Sequence, residues 1–202
     1  MTDDFLDQPL RRFFESVASE SAAPSGGAAA AVTVALAAGL SAMAARLSVS
    51  QLRDSAQLVD QAERLRHRAT ELAQEDMTAF QAVHAAYALP KDRDPEGRRR
   101  RIHAALVGAT EVPLEIAEVA AQVAELAGRL ATGGNPNLQG DAVTGAFLAL
   151  AGARSASALV ELNVRQGGLE GPWRERAQAH VTTADQVVER SVEHAGLGRE
   201  RR

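Results

Sequence analysis

At 202 residues, with 46% hydrophobic and 24% charged side chains, the chain has the length and balance for one globular core. It has no cysteine, which excludes disulfide frameworks, thiolate metal sites and cysteine nucleophiles, and a net charge of -4 gives no global attraction for nucleic acid or anionic lipid. Aromatics are only 3%, while alanine, leucine, valine and arginine dominate, and these good helix formers predict an all-α fold.

The start, MTDDFLDQPLRRFF, is acidic where an export signal is basic, and with the missing cysteines it fits a cytoplasmic protein. The first predicted helix covers residues 3–19: Phe5, Leu6, Leu10, Phe13, Phe14 and Val17 recur at three- and four-residue steps, with Asp3 or Asp4 available as a cap. Its Phe side is expected to lie across a bundle. A loop over 21–27 follows, then an alanine helix to about Leu47. Residues 26–45 carry no charge, which raises the possibility of a membrane span. Alanine contributes little to insertion, however, Thr33, Gly39 and Ser41 dilute the run, and no aromatic belt flanks it. A soluble helix apolar all round is buried all round, so this segment is expected to be the central small-residue helix of the bundle.

A long helix is predicted over roughly 53–88, with Leu58, Leu65, Leu72, Met77, Phe80, Val83 and Tyr87 inward. ALPKDRDPEG ends it, and there Asp94 can cap the next helix with Pro95 at its first position. That helix carries Ile102, Leu106 and Val107, meets Pro113, where a kink or break is expected, and resumes through Ile116, Val119, Val123, Leu126 and Leu130. ATGGNPNLQGD is too rich in Gly, Asn and Pro to be helical. Asp141 then begins a second small-residue helix, and after QGG, Trp173 opens a more polar last helix to about His194. The whole reads as a single-domain up-and-down helical bundle over 1–202, without internal repeats, its residues 196–202 a frayed tail.

Two irregular loops each precede a helix of small side chains. A helix N-terminus gathers unpaired N–H groups and partial positive charge, and glycine lets a ligand approach the backbone, which suits Ser25, Gly26 and Gly27; the plain alternative is an ordinary helix start capped by Ser25. The second loop reads either as a connector ending in an Asp141 cap or, through Asn135, Asn137 and Asp141, as a polar binding turn. Asp76 sits one turn before Phe80, beside inward residues. There it is either a solvated acid at the edge of the apolar stripe or a desolvated carboxylate with a pKa raised towards acid/base work. The five histidines show no metal-ligand spacing, so no metal is expected. The basic run 98–101 lacks interleaved aromatics and reads as a solvated helix turn, with no nucleic-acid or membrane partner expected.

Together, APSGGAAAA, EDMTAFQAVHAAYALPKD, ATEVPLEIAEVA and GGNPNLQGDAVTGAFLALAGARSASALVELNV resemble, in order and spacing, the cyclodeaminase/cyclohydrolase family, over nearly the whole chain. That resemblance implies an all-helical homodimer acting on one-carbon tetrahydrofolates, with no cofactor beyond the folate substrate. The family's Pro-Gly-Gly-Gly-Ser loop falls on Pro24, Ser25, Gly26, Gly27 and Ala28, its Asp-x-x-x-Phe acid on Asp76, and its Leu-Pro-Lys on Leu89, Pro90 and Lys91. Its Gly-Asn-x-Asn-x-x-x-Asp turn falls on Gly134, Asn135, Asn137 and Asp141, and a further Asn on Asn163.

The resemblance implies Asp76 as the catalytic acid/base and Asp141 as a second catalytic, charge-stabilising group. It implies Ser25, Gly26, Gly27, Asn135, Asn137 and Asn163 as substrate-binding, with Lys91, the chain's one lysine, meeting the folate carboxylates. These groups are expected to converge in one cleft. The implied activity is hydrolysis of 5,10-methenyltetrahydrofolate to 10-formyltetrahydrofolate, or formiminotetrahydrofolate cyclodeamination; the alternative is a non-catalytic helical dimer used for folate binding or protein assembly. Two departures bear on that choice. Ser25 stands for a family glycine, a strained substitution if its φ is positive, and Ala28 stands for a serine, deleting a hydroxyl beside the site.

Overall fold

A computed structural model describes residues 8–20, 24–91 and 94–197. Among the described residues six helices follow one another: α1 Leu10–Val17, α2 Gly26–Arg46, α3 Ser55–Ala88, α4 Pro95–Gly133, α5 Gln139–Gly167 and α6 Trp173–His194, with a 3-10 turn at Pro136–Leu138 between α4 and α5. The fold is the expected all-α bundle. Cross-helix contacts fix its directions: Arg46 pairs with Glu63, Arg68 with Glu115, Gly145 abuts Ala127, and Arg154 pairs with Asp185, so α2 to α6 run alternately up and down.

The core is made of small side chains. Alanines of α2, α3, α4 and α5 fill it, with Leu72, Ile116, Val34 and Val123 as its larger fully buried members. Small residues let helix axes approach closely, and two glycines of α5 mark where this matters most. A Cβ on Gly152 would lie 2.4 Å from Val34 Cγ2, and one on Gly145 would lie 3.4 Å from the Ala37 carbonyl. Several surface ion pairs tie neighbouring helices, the strongest being the two-pronged grip of Arg68 on Glu115 at 2.6 and 2.8 Å with Glu75 alongside.

Several boundaries differ from the sequence reading. Phe5, Leu6, Asp3 and Asp4 lie outside the described residues; in α1, Phe13 packs against the core while Leu10, Phe14 and Val17 are exposed, so its Phe side does not lie buried across the bundle. Gly26 and Gly27 form the first turn of α2 rather than a loop. That helix is not buried all round: it packs against α3, α4 and α5, and leaves a stripe through Val32, Leu36, Leu40 and Met43 half-buried or open, with Leu36 61% exposed. By length and composition α2 and the segment Pro136–Gly167 could each cross a membrane, yet most of the apolar window of α2 is packed inside the bundle.

On α3, Leu58, Leu65 and Leu72 are buried as expected, whereas Phe80 and Tyr87 are exposed. The reason is length: α2 begins opposite Asp76, and the last twelve residues of α3, roughly 18 Å, run past it. Asp94 caps α4 as expected, accepting from Gly97 N–H at 2.8 Å with Pro95 next. The same helix passes through Pro113 without a break and includes the first residues of the predicted turn, up to Gly133. Asp141 is not the cap of α5; the helix starts at Gln139, and Asp141 lies in its first turn, where a carboxylate suits the positive helix end.

Packing at the α2/α5 contact predicts a pair of opposite outcomes. Gly152→Ala forces a methyl into Val34, whose branched side chain has little rotamer freedom, and is expected to cost about 1–3 kcal/mol. Gly108→Ala, mid-helix with nothing within 4 Å, is expected to add about 1 kcal/mol. Thermal unfolding of both variants checks this, the first melting lower and the second higher, by about 2–4 °C per kcal/mol.

Candidate active site

The buried face of α3 steps through Leu58, Ala62, Leu65, Ala69 and Leu72 at alternating four- and three-residue intervals, and the next position is Asp76. A carboxylate therefore occupies a core position, 9% exposed, and it meets the start of α2. Ser25 Oγ donates to Asp76 Oδ2 at 2.6 Å, and the Ala28 N–H donates to the same oxygen at 2.9 Å. Ala28 is the third residue of α2, whose amide lacks an intrahelical acceptor and would ordinarily be capped by Ser25. Ser25 caps nothing with its side chain; its hydroxyl turns to Asp76, and Asp76 caps the helix from α3.

Gly27 makes the approach possible. A Cβ there would lie 1.9 Å from Asp76 Oδ1 and 2.4 Å from its carboxyl carbon, so any side chain at this position evicts the carboxylate. Ser25 has φ -99° and ψ -177°, and no residue other than glycine has positive φ among the described residues, so serine is unstrained where the family carries glycine. Burial pushes the Asp76 carboxyl above its ordinary pKa, against the opposing pull of the hydrogen bonds from Ser25 and Ala28.

Among the described residues Oδ1 makes no hydrogen bond, and it is not sealed from solvent. It lies in a pocket of about 320 Å³ whose lining includes Ser25, Gly26, Gly27, Phe80 and Asn163, and whose floor is largely apolar. The exposed Phe80 is thus a pocket residue rather than a core residue. A larger groove of about 740 Å³ runs between α3, α4 and α6, but its Arg68 and Glu115 neutralise one another and no buried acid faces it.

The structure gathers Ser25, Gly26, Gly27, Asp76 and Asn163 and leaves the other expected site residues apart within one chain. Gly134, Asn135, Asn137 and Asp141 sit at the far end of α2, roughly 30 Å along its axis. There Asn135 is structurally committed: its N–H donates to Ser48 Oγ at 2.9 Å, its Nδ2 to the Leu47 carbonyl at 3.0 Å, and its Oδ1 accepts from the Asn137 N–H at 3.0 Å. It closes the carbonyl end of α2. Lys91 is exposed, beyond the end of α3 and outside the pocket lining. Expected convergence in one cleft therefore fails within a single chain.

Pro113 and Ala109 also line the pocket, and sequence reasoning did not place them there; the signal was the proline inside a helical pattern.

A sequence profile described as formiminotransferase-cyclodeaminase matches residues 9–168. A methenyltetrahydrofolate cyclohydrolase of Methylorubrum extorquens is 35% identical over 167 residues, 79% of this chain and 80% of that one. The formimidoyltransferase-cyclodeaminase of Sus scrofa is 34% identical over 139 residues, and the aligned part is 64% of this chain but only 26% of that protein. The solved formiminotetrahydrofolate cyclodeaminase of Thermotoga maritima has the same fold, with a TM-score of 0.82 at 24% identity over 95% of this chain and 98% of that one. With its helix order and a profile match over most of its length, the chain belongs to the formiminotransferase-cyclodeaminase family.

Proposed function

We propose that the protein hydrolyses 5,10-methenyltetrahydrofolate to 10-formyltetrahydrofolate, with formiminotetrahydrofolate cyclodeamination as the related reaction open to the same site. One observation carries this reading. Asp76 has one carboxylate oxygen held by two donors and the other open to an apolar-floored pocket at a helix N-terminus. The methenyl carbon is a cationic amidinium. A water adding to it must lose a proton, and the ring nitrogen that then leaves must gain one. Asp76 Oδ1 takes the first proton and returns it to the nitrogen, while the hydroxyl proton of the carbinolamine passes to solvent as the formyl carbonyl forms. The carboxylate thus ends each turnover as it began, and one proton is released for the cation consumed. In the deaminase direction N10 attacks the carbon of the protonated formimino group carried on the ring nitrogen, and the same oxygen passes the N10 proton to the ammonia that departs, leaving the methenyl cation. The negative carboxylate also favours the cation bound beside it. No cofactor beyond tetrahydrofolate enters this chemistry, and we place the protein in the cytoplasm on its cysteine-free composition.

A fixed, desolvated carboxylate with one open oxygen favours catalysis over the non-catalytic reading, because a purely structural cap is better served by an uncharged side chain.

We propose a two-fold dimer packed through the uncharged α2 stripe around Leu36, with the symmetry axis across α2 so that the two helices run antiparallel. This pairing would carry Asn135 and Asp141, which lie about 30 Å from the pocket within one chain, towards Asp76 of the other copy.

Asp76→Asn tests the chemistry. Loss of methenyltetrahydrofolate absorbance is expected to slow by about a hundredfold or more, in line with removal of a general base. For the wild type, kcat/KM should fall as pH drops through a midpoint above the ordinary carboxylate value. Because the folded-state pKa is raised, folded Asp76 holds its proton to higher pH than the unfolded chain, and ionising it costs stability as pH rises through that window. Asp76→Asn should therefore melt no lower than wild type at pH 7, and the gap should narrow in acid. Turnover in this variant within about tenfold of wild type, at any pH, excludes the assigned role.

Leu36→Glu tests the dimer. Sedimentation velocity should show the wild type as a dimer and the variant as a monomer. Asp76→Asn and Asp141→Asn proteins, each slow alone, should regain activity when their subunits are exchanged.

A further inference from the structure

Pro113 has no N–H, so in α4 the carbonyl of Ala109, four residues earlier, loses the donor that every other turn supplies. A donor from α5 takes that place: Asn163 Nδ2 donates to Ala109 O at 2.6 Å. A carbonyl can only accept, so the nitrogen end of the Asn163 amide must face Ala109. The oxygen end, on the opposite side of a planar group, makes no hydrogen bond among the described residues and is not sealed from solvent. Ala109, Pro113 and Asn163 all line the pocket that holds Asp76.

We infer that Pro113 is a positioning residue: by freeing the Ala109 carbonyl it locks the Asn163 amide with Oδ1 towards the ligand, so that this wall of the pocket offers a hydrogen-bond acceptor. With Asp76 Oδ1 left to the reacting carbon, Asn163 Oδ1 is the acceptor by which this wall of the pocket selects a ligand with an N–H donor edge. Resting on the proposed folate reaction, that edge is the N–H and amino side of the reduced pterin. An Asn163 free to flip would offer its nitrogen half the time and lose this discrimination.

Pro113→Ala separates this role from a structural one. The N–H that alanine restores at this position takes up the Ala109 carbonyl within α4, and the melting temperature should hold or rise, since a helix-interior proline is removed. KM for methenyltetrahydrofolate should nonetheless rise by about three- to tenfold with kcat within about twofold, the effect of weakening one ligand hydrogen bond. Asn163→Ala should raise KM by a similar factor, and adding Pro113→Ala to it should change nothing further. An unaltered KM in Pro113→Ala, or fully additive effects in the double variant, overturns the inference. A readout independent of folate is the Asn163 side-chain NH₂ signal in 15N NMR of the free protein. It should exchange slowly with solvent in wild type and rapidly in Pro113→Ala; equal rates refute the lock whatever the substrate proves to be. Wild type that neither binds nor turns over methenyltetrahydrofolate, while the NMR difference holds, removes the folate reading and leaves the lock standing.

Discussion

The structure depends on one contact, a carboxylate of α3 pressed against a helix start that has no side chain to refuse it. Asp76 Oδ2 is the acceptor that the first turn of α2 lacks, and Gly27 is the space in which the rest of the carboxyl group sits. Each half of the contact explains the other. Without an acceptor the Ala28 N–H is a buried orphan, and without donors the buried carboxylate is costlier still to ionise. Because both donors act on Oδ2, fixing the group structurally leaves Oδ1 for chemistry.

The alanine core is what lets that contact form. Asp76 reaches α2 because it takes the next core step after Leu72 on the buried face of α3, and because alanines at the interface keep the two axes close. Larger side chains would widen the spacing and pull the carboxylate out of range of a backbone amide. On its other side α2 meets α5 through Gly145 and Gly152, so the helix is held from both flanks and its first turn has little freedom to drift. A well-packed frame of this kind fixes the carboxylate without any charged partner.

Much of this was legible in the sequence. Helix order, the Asp94 cap and the suspicious placement of Asp76 all follow from period and capping rules. The exposed side of α2 was not legible, because a helix uncharged all round carries no mark of which face a partner element covers. Convergence of the two glycine-bearing loops was misread, though parity could have corrected it. In an up-and-down bundle α2 starts at one end, three helix passes later α4 finishes at the other, and the turn at Asn135 must lie where α2 ends. Asn135 and Asn137 are then explained as the closure of that end before any ligand is invoked. The proline in α4 was noticed as a defect in a helix; only coordinates reveal which carbonyl it strands and which side chain from α5 answers.

The two departures from the family pattern are best read as one. Where the resemblance implies a hydroxyl at position 28, this chain has a fully buried methyl, and where it implies glycine at position 25 the chain has a serine in extended conformation. Both positions flank the same carboxylate oxygen. Ser25 donates its hydroxyl to Oδ2 from one side, while Ala28 contributes its backbone N–H from the other, so the carboxylate has a hydroxyl partner although position 28 supplies none. A neutral residue at position 76 would cap α2 without the desolvation cost, so the needs of the fold alone do not explain an acid there, nor a hydroxyl spent on it.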